Sequence, residues 1–86
     1  MIYVGIDVAK DKHDCIILNS NGKVVFDVFT IQNNIDGFED LLFKIKTTEK
    51  CPDKVKVGLE ATGHYSCNIL GFLKNKGLST IVINPL

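Results

Sequence analysis

Along residues 1–9 the side chains alternate with a period of two. Ile2, Val4, Ile6 and Val8 fall on one side of a strand, and Tyr3, Gly5 and Asp7 on the other. Apolar residues occur on both sides, which predicts a strand covered above and below at the middle of a sheet. Residues 10–14 are polar and too few for a crossover helix. Residues 15–18 read as a second strand, Asn19-Ser-Asn-Gly22 as a turn, and residues 23–31 as a third strand rich in Val, Phe and Ile. Short connections on both sides predict an antiparallel meander.

The period then changes. Asn33-Asn34 offers an N-cap, and Ile35, Phe38, Leu41, Leu42 and Ile45 recur at helical spacing. Acids (Asp36, Glu39, Asp40) come early and lysines (Lys44, Lys46, Lys50) late, as the helix dipole favours. Cys51-Pro52 closes that helix. Val55, Val57 and Leu59 alternate with Lys54, Lys56, Gly58 and Glu60 as a fourth strand. Thr62 is the expected cap of a second helix, with Tyr65, Ile69, Phe72 and Leu73 buried and Gly77 just past its end. Residues 79–83 form a fifth strand, and Pro85 disfavours helix at Asn84. The order β-β-β-α-β-α-β implies right-handed crossovers onto one sheet and a three-layer α/β arrangement.

Composition narrows the reading only a little. Eighty-six residues, 45% apolar and 23% charged, suit one small globular domain. Ten lysines balance ten acids with no arginine, so net charge offers no argument for or against nucleic acid. Three unpaired-looking cysteines, Cys15, Cys51 and Cys67, suit a reducing, cytoplasmic setting. No apolar run is long enough to span a membrane, and no signal-peptide pattern is present.

The candidate chemistry lies at two strand ends. Asp7 and Glu60 each close a strand, and each follows a glycine two positions earlier on the same face, Gly5 and Gly58. If the first and fourth strands are neighbours, their backbones lie about 4.8 Å apart and the two acids converge. Two like charges about 4 Å apart repel by roughly 4 kcal/mol at an effective dielectric near 20, which a shared Mg²⁺ or Mn²⁺ would remove. The plainer alternative is that Asp7 stabilises a turn and Glu60 precedes a helix whose dipole suits it. Lys10, Lys12 and His13 follow Asp7, and Thr62 and His64 follow Glu60; all five are candidate phosphate contacts, or simply a solvated turn and a helix start. His13 with Cys15, and His64 with Cys67, lack the further partners a zinc site needs.

Gly5-Ile-Asp-Val-Ala-Lys10, three strands, Gly58-Leu-Glu-Ala-Thr-Gly-His-Tyr65 and Val82-Ile-Asn-Pro85 together resemble a known family. It is the N-terminal DEDD domain of bacterial insertion-sequence transposases and Piv-type DNA invertases, with an RNase H-like fold similar to RuvC resolvases. That likeness implies one five-stranded mixed sheet in the order 3-2-1-4-5, with the second strand antiparallel to the rest. The Glu-Ala-Thr-Gly-x-Tyr segment is specific; Gly-Ile-Asp alone is not. The resemblance implies metal-dependent DNA strand cleavage and transfer, with Asp7 and Glu60 as the first two of four acids. The family's third and fourth acids follow the Asn-Pro segment. Residues 1–86 are therefore expected to be the front part of one catalytic domain, without its remaining helix or the C-terminal domain that carries a serine. On that expectation Mg²⁺ binding is weak, DNA is not cut, and an uncovered sheet face promotes self-association. DNA is the implied partner, with a guide RNA for the complete protein.

Two rivals remain at this stage. The nucleotide-binding half of an actin-like or sugar-kinase-like ATPase also opens with strand, Asp and hairpin. Those proteins place glycine and a small hydroxyl residue after the Asp, where this chain has Val8-Ala9-Lys10. A non-catalytic interaction domain would instead hold Asp7 and Glu60 apart or pair them with lysine.

Overall fold

The computed structural model describes residues 1–61 and 64–83. Strands β1 (Ile2–Val8), β2 (Lys12–Asn19) and β3 (Val24–Gln32) precede helix α1 (Ile35–Thr48). A 3-10 turn at Pro52–Lys54 leads into β4 (Val55–Glu60), then α2 (Cys67–Asn75) and β5 (Ser79–Ile83). The sheet order is β3-β2-β1-β4-β5, with β2 antiparallel to both neighbours and β1, β4 and β5 parallel. This is the five-stranded mixed sheet expected from the pattern, in the strand order that the resemblance to an RNase H-like fold implies.

One expectation fails. Among the described residues there are two layers, not three, because both helices lie on the same face. The helix-side core joins Val4, Ile6, Ile17, Val57 and Leu59 of the sheet to Leu41 and Ile45 of α1 and Ile69 and Leu73 of α2. Phe38 of α1 meets Phe72 of α2 at 5.5 Å between ring centroids. The reason is directional. β3 runs parallel to β4, and the β3-to-β4 and β4-to-β5 crossovers both advance toward the β5 edge. Two right-handed crossovers advancing the same way must carry their helices over the same face. The opposite face of β1 is consequently open: Tyr3 and Asp7 are exposed and Gly5 is half-buried.

The helix ends follow local chemistry. Asn34 caps α1, its Oδ1 accepting from the Gly37 N–H at 2.9 Å. Residue 37 must be glycine, since a Cβ there would collide with the Gln32 carbonyl oxygen. Ile35, expected in the core, is 55% exposed because it sits at the helix's first position, on the outer side. At the end of α2, Gly77 adopts φ +79°. Its N–H donates to the Lys74 carbonyl, and the Leu78 N–H donates to that of Leu73. This paired closure turns the buried Leu78 back onto the helix.

The start of α2 departs from expectation. Helix begins at Cys67, with Ser66 in the N-cap position and no side-chain cap. Tyr65 therefore precedes the helix and is 44% exposed, not in the core. The expected cap, Thr62, lies outside the described residues.

β3 is an edge strand with two irregularities. Cys15 and Ile17 of β2 face Phe29 and Phe26, and Leu18 faces Val24, so β3 carries an extra residue in each interval. Bulging of this kind puts Phe26 and Phe29, three apart, in edge-to-face contact at 6.2 Å.

Candidate functional site

The parallel pairing of β1 with β4 aligns Tyr3 with Lys56, Gly5 with Gly58 and Asp7 with Glu60. Asp7 and Glu60 are thus direct neighbours on adjacent strands, about 4.8 Å apart in the backbone, on the open face. The hairpin register adds an acid that the sequence pattern does not single out. Asp14 of β2 sits opposite Asp7, and Thr30 of β3 donates its Oγ1 hydrogen to Asp14 Oδ1 at 2.7 Å. Thr30, Asp14, Asp7, Glu60 and Ile83 therefore form one row across all five strands. A strand reading begun at Cys15 leaves Asp14 in the preceding loop; period-two counting back from Ile16 recovers it.

The three acids are exposed. In bulk water two charges at 4 Å repel by only about 1 kcal/mol, so hydration alone tolerates the row. Its carboxylate oxygens are the donor type that Mg²⁺ or Mn²⁺ prefers. In number they fall short, because among the described residues no three His, Cys, Asp or Glu side chains converge closely enough to hold a metal ion. Asp7 and Glu60 thus suit such a cation in donor type but not, by themselves, in number.

Beneath the row the open face is a trough of about 550 Å³, lined by Gly5, Asp7, Asp14, Ile16, Gly58 and Glu60. It continues past Ile81 toward Tyr3 and Lys56. A Cβ at Gly58 would meet nothing within 4 Å, whereas one at Gly5 would press on Ile16 Cγ2 at 3.3 Å. The two glycines make the floor low, and Ile16 and Ile81 flank it.

The remaining candidates divide. Lys10 and Lys12 are exposed beside the row, and His64 is exposed just before α2. His13 is fully buried, which corrects its reading as a DNA contact. Strand β2 begins at Lys12, so alternation sends His13 to the helix side, where it stacks on Phe38 at 6.4 Å. Its Nδ1 accepts from the Ala9 N–H at 3.2 Å. The ring proton therefore sits on Nε2, which is buried without a partner among the described residues. Cys15, two residues on, is buried on the same side; burial, reinforced by Asp14, pushes its thiol up to about 12. That makes it a core residue with little thiolate character.

Comparisons with solved structures match this architecture. A Bacteroides thetaiotaomicron protein with an actin-like ATPase fold and unknown function has a TM-score of 0.74 at 18% identity, over 95% of this chain and 32% of its own. The fowlpox virus Holliday junction resolvase has a TM-score of 0.61 at 20% identity, over 99% of this chain and 62% of its own. Thermus thermophilus RuvC, solved with a Holliday junction substrate, has a TM-score of 0.61 at 9% identity, over 99% and 66%. At these identities the likeness is one of fold. No curated protein matches the sequence. A family model described as a transposase, the DEDD domain of the IS110 type, matches residues 4–86. As that match spans nearly all of its 86 residues, the chain belongs to the DEDD transposase family of the IS110 type.

Proposed function

We propose that this chain supplies part of the catalytic site of a DNA transposase, with Asp7 and Glu60 as ligands of a catalytic divalent cation. The observation that carries the reading is their register pairing on adjacent parallel strands, above a floor of two glycines. A cation held there would polarise a phosphodiester and help generate the attacking nucleophile. Lys10 and Lys12, exposed beside the acids, would bind backbone phosphates, with His64 and Thr62 as further contacts from the segment after β4. Thr62 enters on sequence alone. DNA is the partner, and a guide RNA belongs to the same proposal for the complete protein. The reaction of that protein would be strand cleavage and transfer.

For the 86-residue chain itself the expectation is modest. Two carboxylates and water make a weak hard-cation site, so Mg²⁺ binding should be weak and nicking of DNA absent. The test is Mn²⁺ titration followed by backbone NMR. Paramagnetic broadening should centre on Asp7 and Glu60, and Asp7→Asn or Glu60→Gln should remove it. Either exchange should leave thermal stability unchanged within about 0.5 kcal/mol, since both positions are exposed. Broadening elsewhere, or none at millimolar Mn²⁺, would sink the assignment. ATP binding would instead favour an actin-like reading, against which stands the Val8-Ala9-Lys10 sequence after Asp7.

A further inference from the structure

Among the described residues, three hydrogen bonds outside the strand ladder hold the loop that follows Asp7. The His13 ring accepts from the Ala9 N–H inside the hairpin. The other two come from a single residue far along the chain. Asn33 donates its Nδ2 hydrogen to the Lys10 carbonyl at 2.9 Å and its backbone N–H to the Asp11 carbonyl at 2.9 Å. Its own Oδ1 is buried and unpartnered among the described residues. The side chain is thus oriented for its donor at the expense of its acceptor, which a freely turning surface amide would avoid.

The anchor behind Asn33 is firm. Asn34 caps α1, and Gly37 brings the first turn of that helix against the Gln32 backbone. Phe38, one residue on, stacks on His13 from the helix side. The Asn33-Asn34 doublet therefore divides two tasks: Asn34 starts the helix, and Asn33 ties the helix start to the β1–β2 loop.

We propose that Asn33 is a positioning residue for phosphate binding. It clamps the backbone of Lys10 and Asp11 so that Lys10 and Lys12 stand ready beside the acidic row before DNA arrives. Ordering in advance saves the entropy of fixing the loop on binding. The inference rests on the reading of Lys10 and Lys12 as phosphate contacts, and its test separates the two.

The test is a double-mutant cycle on affinity for a short DNA duplex across a salt series. Lys10→Ala with Lys12→Ala should flatten the slope of log K against log salt by about 1.8, two phosphates at about 0.9 each. Asn33→Ala should weaken binding about three- to tenfold at low salt, the scale of ordering one loop. It should speed amide exchange at Ala9, whose N–H donates to the His13 ring, and at residue 33, whose N–H donates to the Asp11 carbonyl. It should add nothing in the background lacking Lys10 and Lys12. Asn33→Ser, which keeps a small polar side chain and the backbone donor, covers the case in which the alanine variant folds poorly. A purely structural tether would move thermal stability equally in both backgrounds and leave the affinity of the chain that keeps Lys10 and Lys12 intact; that result overturns the proposal. If the double lysine exchange changes neither affinity nor slope, the phosphate reading itself falls, and the role of Asn33 falls with it.

Discussion

The two faces of the sheet are built from the same strands, yet they do opposite things. On the helix side, Ile2, Val4, Ile6 and Val8 of β1 are all at most 7% exposed. On the other side of the same strand, Tyr3, Gly5 and Asp7 face an open trough. Burying one apolar side chain stabilises by about 1.5–3 kcal/mol, and the covered face collects that gain many times over. The open face spends its positions on two glycines, three acids and a few isolated branched residues. Stability and candidate chemistry are separated by a single step along the strand, so a substitution reports on one or the other according to its parity.

The largest effect expected of that separation is at Leu59, which has no exposed surface. Leu59→Ala should cost about 2–5 kcal/mol in chemical denaturation, as cavity-forming changes in cores do. A cost below about 1 kcal/mol would mean that the covered face is loosely packed. Its neighbour in sequence, Glu60, points the other way and carries no such penalty.

A second, smaller effect tests the same divide through pH. The Cys15 thiol is raised from 9.0 to about 12 in the folded chain, first by burial and then by Asp14. A raised acid stabilises the fold fully below its unfolded value and loses that contribution as pH rises through the folded one. Stability should therefore decline between about pH 9 and 12, and the decline should be smaller in Cys15→Ala once the packing loss is subtracted. Below pH 9, alkylation should modify the exposed Cys51 and Cys67 and spare Cys15 until the chain unfolds. Labelling of all three at one rate would contradict the burial.

The smallest effect on the fold itself is expected from the open side. Ile81 is 64% exposed on β5, at the edge of the trough. Ile81→Lys should change stability by no more than about 0.5 kcal/mol. It should nevertheless reduce the self-association expected of an uncovered apolar face at high concentration, measured by light scattering. A wild-type chain that stays monomeric would show that the open face is not adhesive.

Much of this architecture was legible in the residues. Period-two alternation and short turns gave the meander, and the Asn34 cap and the Gly77 stop marked helix ends that the structure bears out. The pairing of Asp7 with Glu60 was conditional on the first and fourth strands being neighbours, which the β1–β4 register supplies. What escaped the pattern depends on three dimensions. The side on which the helices lie comes from the direction of two crossovers, which hydrophobic periodicity does not encode. The burial of His13 and the arrival of Asp14 depend on β2 starting three residues earlier than its apolar run. The β3 bulges make Phe26 and Phe29 neighbours at a three-residue spacing, which a regular strand of period two does not give and which reads more like a helix turn. For α2, the expected cap at Thr62 lies outside the described residues, and the helix starts at Cys67 with no side-chain cap for a sequence signal to mark.

The register between β1 and β4 also sets an order of events in time. Asp7 and Asp14 meet through a hairpin closed by a few residues, while Glu60 arrives from 53 positions along the chain (60 minus 7). Closing so long a loop is slow compared with a local turn. In refolding, the hairpin pair should become protected from exchange before the β1–β4 contact does. The row of acids is then completed by one of the last, least local pairings in the molecule. A slip of β4 by one residue at that stage would turn Glu60 toward the helices and bring Leu59 out to water. The burial of Leu59 thus proofreads the position of Glu60.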